Sequence, residues 1–389
     1  MKHVMKPAVP VALACWLAAI MALASEPAGP HLSIRLEKPV PIPDNSGDTW
    51  VAAWAEDDNL YSPSNDTRGF HKAGSSNIAF NRLTGDDPLK LTGTTVNTLA
   101  EYGKLAEEGA DGRNWKSSGC TIIDGVLYMV VARHTYGEKS GDPHRRQLAA
   151  DASIVKSADL GKTWARSVKE NHESPMFKGR RFATPYFVQY GRGGRGGPDG
   201  SGRFVYAISN NGFWDNGDDM ILGRVARSRI GDLKASDWEF FAGGDGAEDS
   251  AWSRDMGRSA LLLKDPGKLG MTGAVHVPAS GRYLMIGWHY PAGGGVMPGA
   301  SSETIWEVYE APRPWGPWSR IGTHRFAPQG YYSPQIVPKF TSADGKRLFA
   351  FTAGDWNDPD VYRLTVVPIV VEPASAPAAP SPANDPAPR

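Results

Sequence analysis

Cys120-Thr121-Ile122-Ile123-Asp124-Gly125-Val126-Leu127-Tyr128-Met129-Val130 reads as two short apolar strands joined by a turn, the second carrying an aromatic residue. The same unit recurs along the chain. Upstream stand Thr49-Trp50-Val51-Ala52-Ala53-Trp54 and, after a turn, Asn59-Leu60-Tyr61. Downstream, Pro185-Tyr186-Phe187-Val188 leads through a glycine-rich turn to Phe204-Val205-Tyr206-Ala207-Ile208. Gly273-Ala274-Val275-His276 is followed by Arg282-Tyr283-Leu284-Met285-Ile286, and Ser333-Pro334-Gln335-Ile336-Val337 by Arg347-Leu348-Phe349-Ala350-Phe351. No stretch between them sustains a helical period, and Gly, Asp, Asn and Pro bound the runs. Five such units predict an all-β chain: a five-bladed β-propeller of four-stranded antiparallel blades, with the recurring pair as the inner strands.

Segments between the units supply outer strands, such as Ala152 to Ser157 and Ile305 to Glu310. Leu32 to Leu36 and the segment from Tyr362 to Val371 are expected to share a blade, which closes the ring and removes its open edges. Ser157-Ala158-Asp159-Leu160-Gly161-Lys162-Thr163-Trp164 resembles the Asp box of sialidase-type propellers, a turn between outer strands with no catalytic meaning. Gly191-Arg192-Gly193-Gly194-Arg195-Gly196 matches the dinucleotide glycine pattern only formally. Gly197-Pro198-Asp199-Gly200 follows it where a helix would have to begin, so a hairpin loop is expected.

The ends of the chain speak to compartment. Lys2 and Lys6, the apolar run from Val9 to Met21 and the small residues Ala22-Leu23-Ala24 predict a signal peptide over 1–24. The run is too short to span a bilayer well, so the expectation is export to the periplasm or beyond without stable membrane insertion. Cleavage removes Cys15 and leaves Cys120 as a lone thiol, so no internal disulfide is available and Cys120 is read as a packed core residue. It also leaves 40 basic against 42 acidic residues, from 42 of each in the whole chain. That balance argues against nucleic acid as a partner. From 372 to 389 the chain is a Pro/Ala-rich tail read as disordered, which puts the propeller at 32–371; the chain is expected to act as a monomer.

Inner strands of a propeller start at the central channel, so polar residues at their ends are the site candidates. Asp48 precedes the first inner strand and Asp66 ends the next one; antiparallel pairing puts both on one face near the channel. Glu56, Asp57 and Asp58 occupy the opposite turn. Two carboxylates at one pocket suit glycoside hydrolysis, in which one is protonated to donate to the leaving oxygen and the other is ionised. Their separation, about 5–5.5 Å or about 6.5–9.5 Å, divides retaining from inverting enzymes, and the sequence does not say which aspartate is the acid. The structural alternative stays open: Asp48 capping a turn, and Asp66 in a surface loop with Asn65 and Thr67. Equivalent positions in the other blades make Arg133, His134, Asn210, Asn211, Trp288, His289, Asp355 and Trp356 candidate substrate-binding residues, together with Trp50 and Tyr332. No cofactor is required. Asp215, Asp218 and Asp219 would be the place for a structural Ca²⁺, with an Asp/Gly turn as the simpler reading.

Gly47-Asp48-Thr49-Trp50, Trp54-Ala55, Asn59-Leu60-Tyr61 and Asp66 resemble the opening of a propeller family once labelled a domain of unknown function, which includes endo-D-arabinanases. The likeness continues at Thr184-Pro185-Tyr186-Phe187, Tyr283-Leu284, Tyr309-Glu310-Ala311-Pro312 with Trp315-Gly316-Pro317-Trp318, and Tyr332 to Lys339. It implies a glycoside hydrolase of polysaccharide, an arabinan among the candidates, with Asp48 and Asp66 as its catalytic carboxylates. Asn65 and Thr67 depart from the Gly-Asp context usual around the second aspartate. Two other functions compete: a carbohydrate-binding propeller without turnover, and a polysaccharide lyase using His134, His289 or Tyr290, whose pocket would be basic.

Overall fold

The computed structural model of the protein describes residues 32–198, 200, 202–291 and 303–373. Residues 1–24, expected as a signal peptide, and most of the expected tail lie outside the described residues. Five antiparallel sheets follow one another along the chain as the blades of a propeller. Blade 1 runs from a split inner strand, Asn45–Asp48 and Ala53–Trp54, through Leu60–Phe70 and Ser76–Thr84 to Thr92–Asn97. Blade 2 has Asn114–Ile123, Val126–Thr135 and Leu148–Ser157. Blade 3 starts at Tyr186–Phe187, with Phe204–Asn210 and Asp219–Ala226 outside it. Blade 4 comprises Ala274–Val277, Arg282–His289, Thr304–Ala311 and Ser319–Phe326. Blade 5 has Tyr332–Ile336, Arg347–Ala353 and Leu364–Pro373, and Leu32–Leu36 adds its outer strand. Each repeat in the sequence is thus the inner pair of one blade.

Four strands per blade is the rule only in part. In blade 2 the outermost position is held by two isolated bridges, Ala152 to Phe177 and Lys156 to Ala165, flanking a short helix, Val168–Glu173. A bulge between Ala150 and Ser153 breaks the edge on which a longer fourth strand would pair. Blade 3 has its fourth strand at Trp238–Phe241 and carries extra pairings through Trp252–Ser253 and Leu263–Lys264. No helix among the described residues is long and apolar enough to cross a membrane.

Ring closure joins Leu32 to Pro373 and Leu36 to Ile369 in antiparallel register. Glu372 and Pro373, read from sequence as the start of the tail, therefore belong to the last strand, because Ser33 and Leu32 pair with them. The blades are tied to each other near the axis by bonds that have no counterpart within a sheet. Asn65 Nδ2 donates to Ser117 O at 2.9 Å, Gly119 N to Pro185 O at 3.0 Å, and Gln189 N to Ala274 O at 2.9 Å. Thr272 Oγ1 donates to Pro334 O at 3.3 Å, and Ala52 N to Gln335 Oε1 at 2.7 Å. All five blade interfaces are crossed in this way, which satisfies the backbone where the inner strands converge.

Between the blades the core is aromatic: Trp50, Trp238 and Trp306 are fully buried, and Phe177 makes edge-to-face contacts with Phe182 at 5.0 Å and Trp238 at 5.5 Å. Cys120 is buried as a free thiol, and burial pushes its pKa up, out of reach of thiolate chemistry at neutral pH. The glycine-rich segment at 191–196 forms a single turn over Arg192–Gly194, with Arg192 paired to Asp58 and Arg195 to Glu56.

Candidate functional site

A bulge aims Asp48 into the channel. Register slips between Ser46, opposite Gly69, and Asp48, opposite Asn65, so the second strand carries extra residues here. Gly47 makes the close approach: its φ is +110°, and a Cβ there would lie 2.6 Å from Thr67 Cβ and 2.7 Å from Asn65 O. Asp66 itself takes a left-handed φ of 44° within this bulge. Its neighbours hold the bulge in place. Asn65 Oδ1 accepts the N–H and Oγ–H of Ser117 at 2.9 Å, and Thr67 Oγ1 donates to Ser46 O at 2.6 Å, fixing the backbone on both sides.

Both carboxylates line one axial pocket of about 260 Å³, with Lys116, Tyr136, Trp288, Tyr290, Tyr332, Trp356 and Tyr362 around them. Asp48 accepts hydrogen bonds from Thr49 Oγ1 at 2.8 Å on Oδ1, and from Tyr332 OH at 3.0 Å and Tyr362 OH at 2.8 Å on Oδ2. Burial drives its pKa above the usual carboxylate range. The Lys116 ammonium opposes that rise and the Asp66 charge adds to it, while the Thr49 and Tyr362 hydroxyls pull it back. Asp66 pairs with Lys116 and accepts Tyr136 OH at 3.0 Å on Oδ2; its buried Oδ1 has no protein partner. Lys116 is 3 % exposed. Burial lowers its pKa, but the charges of Asp66, Tyr136 and Asp48 outweigh burial, and the net shift is upward. The site therefore holds one carboxylate tied to a buried cation and a second from which burial withdraws charge.

Every blade contributes. Blade 1 gives the aspartates, blade 2 Lys116 and Tyr136, blade 3 Trp214, blade 4 Trp288 and Tyr290, and blade 5 Tyr332, Trp356 and Tyr362. Of the residues singled out in the sequence, Asp48, Asp66, Trp288, Tyr332 and Trp356 meet here. The others are used elsewhere. Trp50 is wholly buried, its Nε1 donating to Gly47 O at 3.0 Å beneath the bulge. Arg133 lies over the Trp115 ring and pairs with Asp111. Asn210 Nδ2 donates to Phe213 O and Leu269 O, Asn211 binds Asp218, and Asp355 holds the turn at Asn357. His289 faces Glu307 at 3.4 Å. His134 is fully buried between Asn114 and Gln147, and burial with the Lys116 charge keeps its pKa well below the ordinary imidazole value. It is a neutral structural group, so among the residues raised for a lyase only Tyr290 reaches the pocket.

Lys116, Tyr136 and Tyr362 were not anticipated. The signal for Lys116 lies in the sequence: it is the one charge in a strand, Asn114–Ile123, whose ten residues are all buried. A buried ammonium requires a carboxylate nearby. Among the described residues no group of three or more His, Cys, Asp or Glu stands where a metal ion would be held. Asp218 pairs with Arg146 and Asp219 with Arg181, while Asp215 Oδ1 accepts Gln147 N at 2.8 Å, so the three aspartates considered for Ca²⁺ do not converge.

Fold and site together define a five-bladed β-propeller with a paired-carboxylate, aromatic axial pocket. No protein-family model matches the chain, and no curated protein does. Among solved structures it is similar to a Bacteroides ovatus protein described as a hydrolase, at 14% identity over 85% of this chain and 87% of that one, TM-score 0.50. Weaker likenesses are to a xylan β-1,4-xylosidase of Bacillus halodurans (11% identity, 84% of this chain, 54% of that one, TM-score 0.44) and a Bifidobacterium bifidum protein described as an exo-β-1,3-galactanase (14%, 85% and 88%, TM-score 0.45). The first likeness bears on the fold alone. The activities in these descriptions are those proteins' own.

Proposed function

We propose that this protein is an exported glycoside hydrolase that cleaves a polysaccharide in the axial pocket, with Asp48 as general acid and Asp66 as the base or nucleophile. One observation carries the reading: two carboxylates share a pocket in opposed electrostatic settings. Asp66 is paired with the buried Lys116 ammonium, the setting that suits a base or nucleophile. Asp48, desolvated and beside another carboxylate, holds its proton to higher pH, as a donor to the leaving oxygen must. Tyr332 and Tyr362 orient the Asp48 carboxyl, and Trp288, Trp356 and Tyr290 offer faces on which sugar rings stack. The resemblance in the sequence makes an arabinan the first polymer to try, and the leader sequence puts the reaction in the periplasm or outside the cell.

A second reading, a propeller that binds glycan without cleaving it, draws support from the three hydroxyls already bonded to Asp48. Incubation of the purified protein with D-arabinan, L-arabinan, xylan and uronate polymers separates the two. New reducing ends are expected without the absorbance of unsaturated uronates. Asp48→Asn and Asp66→Asn are each expected to lower the rate by about 10²–10⁴-fold. Asp48→Asn should keep the parental melting temperature, whereas Asp66→Asn, which leaves the buried Lys116 ammonium without its partner, should melt lower. A variant that keeps full rate removes that aspartate from the mechanism. Unsaturated products make the protein a lyase, and binding without product favours the second reading.

A further inference from the structure

Beside the axial pocket lies a larger groove, about 760 Å³, that shares Asp66, Trp356 and Tyr362 with it. The two adjoin at these three residues, so a glycan seated at the aspartates has the groove next to it. One side is the tight turn at His71 and Lys72, and the other is the blade 5 loop carrying Pro359, Asp360 and Arg363. The charges here differ from those of the axial pocket. Arg68, Lys72 and Arg363 line the groove together with His71. Lys116 neutralises Asp66, so the three cations outnumber the remaining carboxylates, Asp44 and Asp360. Asp360 reaches Arg363 only at 4.0 Å, while Arg68 and Lys72 pair with no acid among the described residues.

The turn itself is informative. Ala73 N donates to Phe70 O at 3.1 Å, and both central residues have positive φ, 54° at His71 and 57° at Lys72. This geometry favours Asn-Gly, because a Cβ crowds the backbone in the left-handed region. His71 N donates to Asp44 O at 2.7 Å, which locks the turn against the groove's floor. Side chains held at a turn that glycine would make more easily point to a use for those side chains.

We infer that this groove, walled by Arg68, Lys72, Arg363 and Trp356, binds the anionic substituents of an acidic glycan whose chain passes Asp66 into the axial pocket. The inference rests on the hydrolase reading for its placement of the chain, and it names the substrate class. Arg68 and Arg363 present guanidinium groups suited to carboxylate or sulfate, Lys72 adds a point charge, and Trp356 separates the groove from the pocket as a stacking face.

The test is affinity electrophoresis of the purified Asp48→Asn protein, in which turnover does not consume the probe, through gels containing polygalacturonate, dextran sulfate or neutral L-arabinan. Parent protein is run alongside as a check on folding. At least one acidic polymer is expected to bind about tenfold more tightly than arabinan, and Arg68→Gln with Lys72→Gln to remove that difference. Retention by polygalacturonate alone names a carboxylate, by dextran sulfate alone a sulfate ester. Equal affinity for all three polymers, or acidic binding unchanged in the double variant, overturns the inference. His71→Asn with Lys72→Gly gives a second reading: weaker acidic binding with a melting temperature raised by about 2 °C is expected. Unaltered binding in that variant would remove Lys72 from the site. Failure of the hydrolase reading looks different: no product from any polymer, with acidic binding intact.

Discussion

Tyr362 OH and Tyr332 OH converge on a single oxygen of Asp48, and both phenols donate to the carboxylate form. They therefore oppose the rise that burial imposes. Tyr362→Phe removes one such bond, worth about 1.5–3 kcal/mol when the acceptor is charged, and should raise the Asp48 pKa by roughly one unit. With Asp48 as the acid, the alkaline limb of the kcat/KM–pH profile moves up; movement of the acidic limb instead would exchange the roles of the two aspartates. Asp215 offers a prediction about stability. Its Oδ2 is buried without a protein partner, and burial raises its pKa to about 7. Between about pH 4 and 7 the folded chain keeps a proton that the unfolded chain releases, so this group's contribution is fully present below the unfolded value and is lost as pH rises through 7. Asp215→Asn should flatten that dependence and melt higher than the parent at pH 8; a lower melting point there would sink the idea. Neither effect is visible in sequence, because Asp48 meets tyrosines 284 and 314 positions away, and Asp215 loses its water, only when the chain folds.

The turn from Ser157 to Trp164 is an element whose chemistry was legible residue by residue. Asp159 Oδ1 accepts Thr163 N at 2.9 Å and Ser157 Oγ at 2.7 Å, Gly161 bends with φ +93°, and Trp164 packs edge-on to Phe80 at 4.8 Å. These bonds, with Thr163 first among them, lower the Asp159 pKa to about 2. The contact with Phe80 ties blade 2 to blade 1, away from the pocket. Trp164→Ala should cost about 2 kcal/mol, less than for a fully buried tryptophan, and lower the melting temperature while leaving turnover unchanged. An unchanged melting curve would show that the ring contributes no packing. The inner strands were harder to read. Alternation turns Trp288 into the pocket and the next residue, His289, away from it, and a two-residue bulge at Asp48 overrides simple counting. Of the paired residues at the strand ends, Trp288 therefore reaches the pocket and His289 does not, and neither Arg133 nor His134 lines it.

At the scale of the molecule, closure rests on two N-terminal segments. Leu32–Leu36 pairs along 369–373 and Val40–Pro41 with Val366 and Thr365, and together they cover the outer edge of the last blade 5 strand. Deleting 32–36 should lower the melting temperature and produce concentration-dependent association on size-exclusion chromatography. A monomer of parental stability would mean that the ring closes without it. The same closure brings Asp48 within reach of Tyr332 and Tyr362, which lie 284 and 314 positions away.

The sequence alone determined the all-β class, the five blades, the partners that close the ring and the shared face of Asp48 and Asp66. These follow from local patterns: alternation, turn residues, and the rule that antiparallel neighbours bring one strand's start beside the next one's end. Only the tertiary structure decided that Lys116 neutralises Asp66, that blade 5 phenols hold Asp48, and that His134, Arg133 and Asn210 serve the scaffold. Those outcomes depend on which side chains from distant blades meet at the axis and on how much water is excluded there, and neither quantity is written in any local pattern.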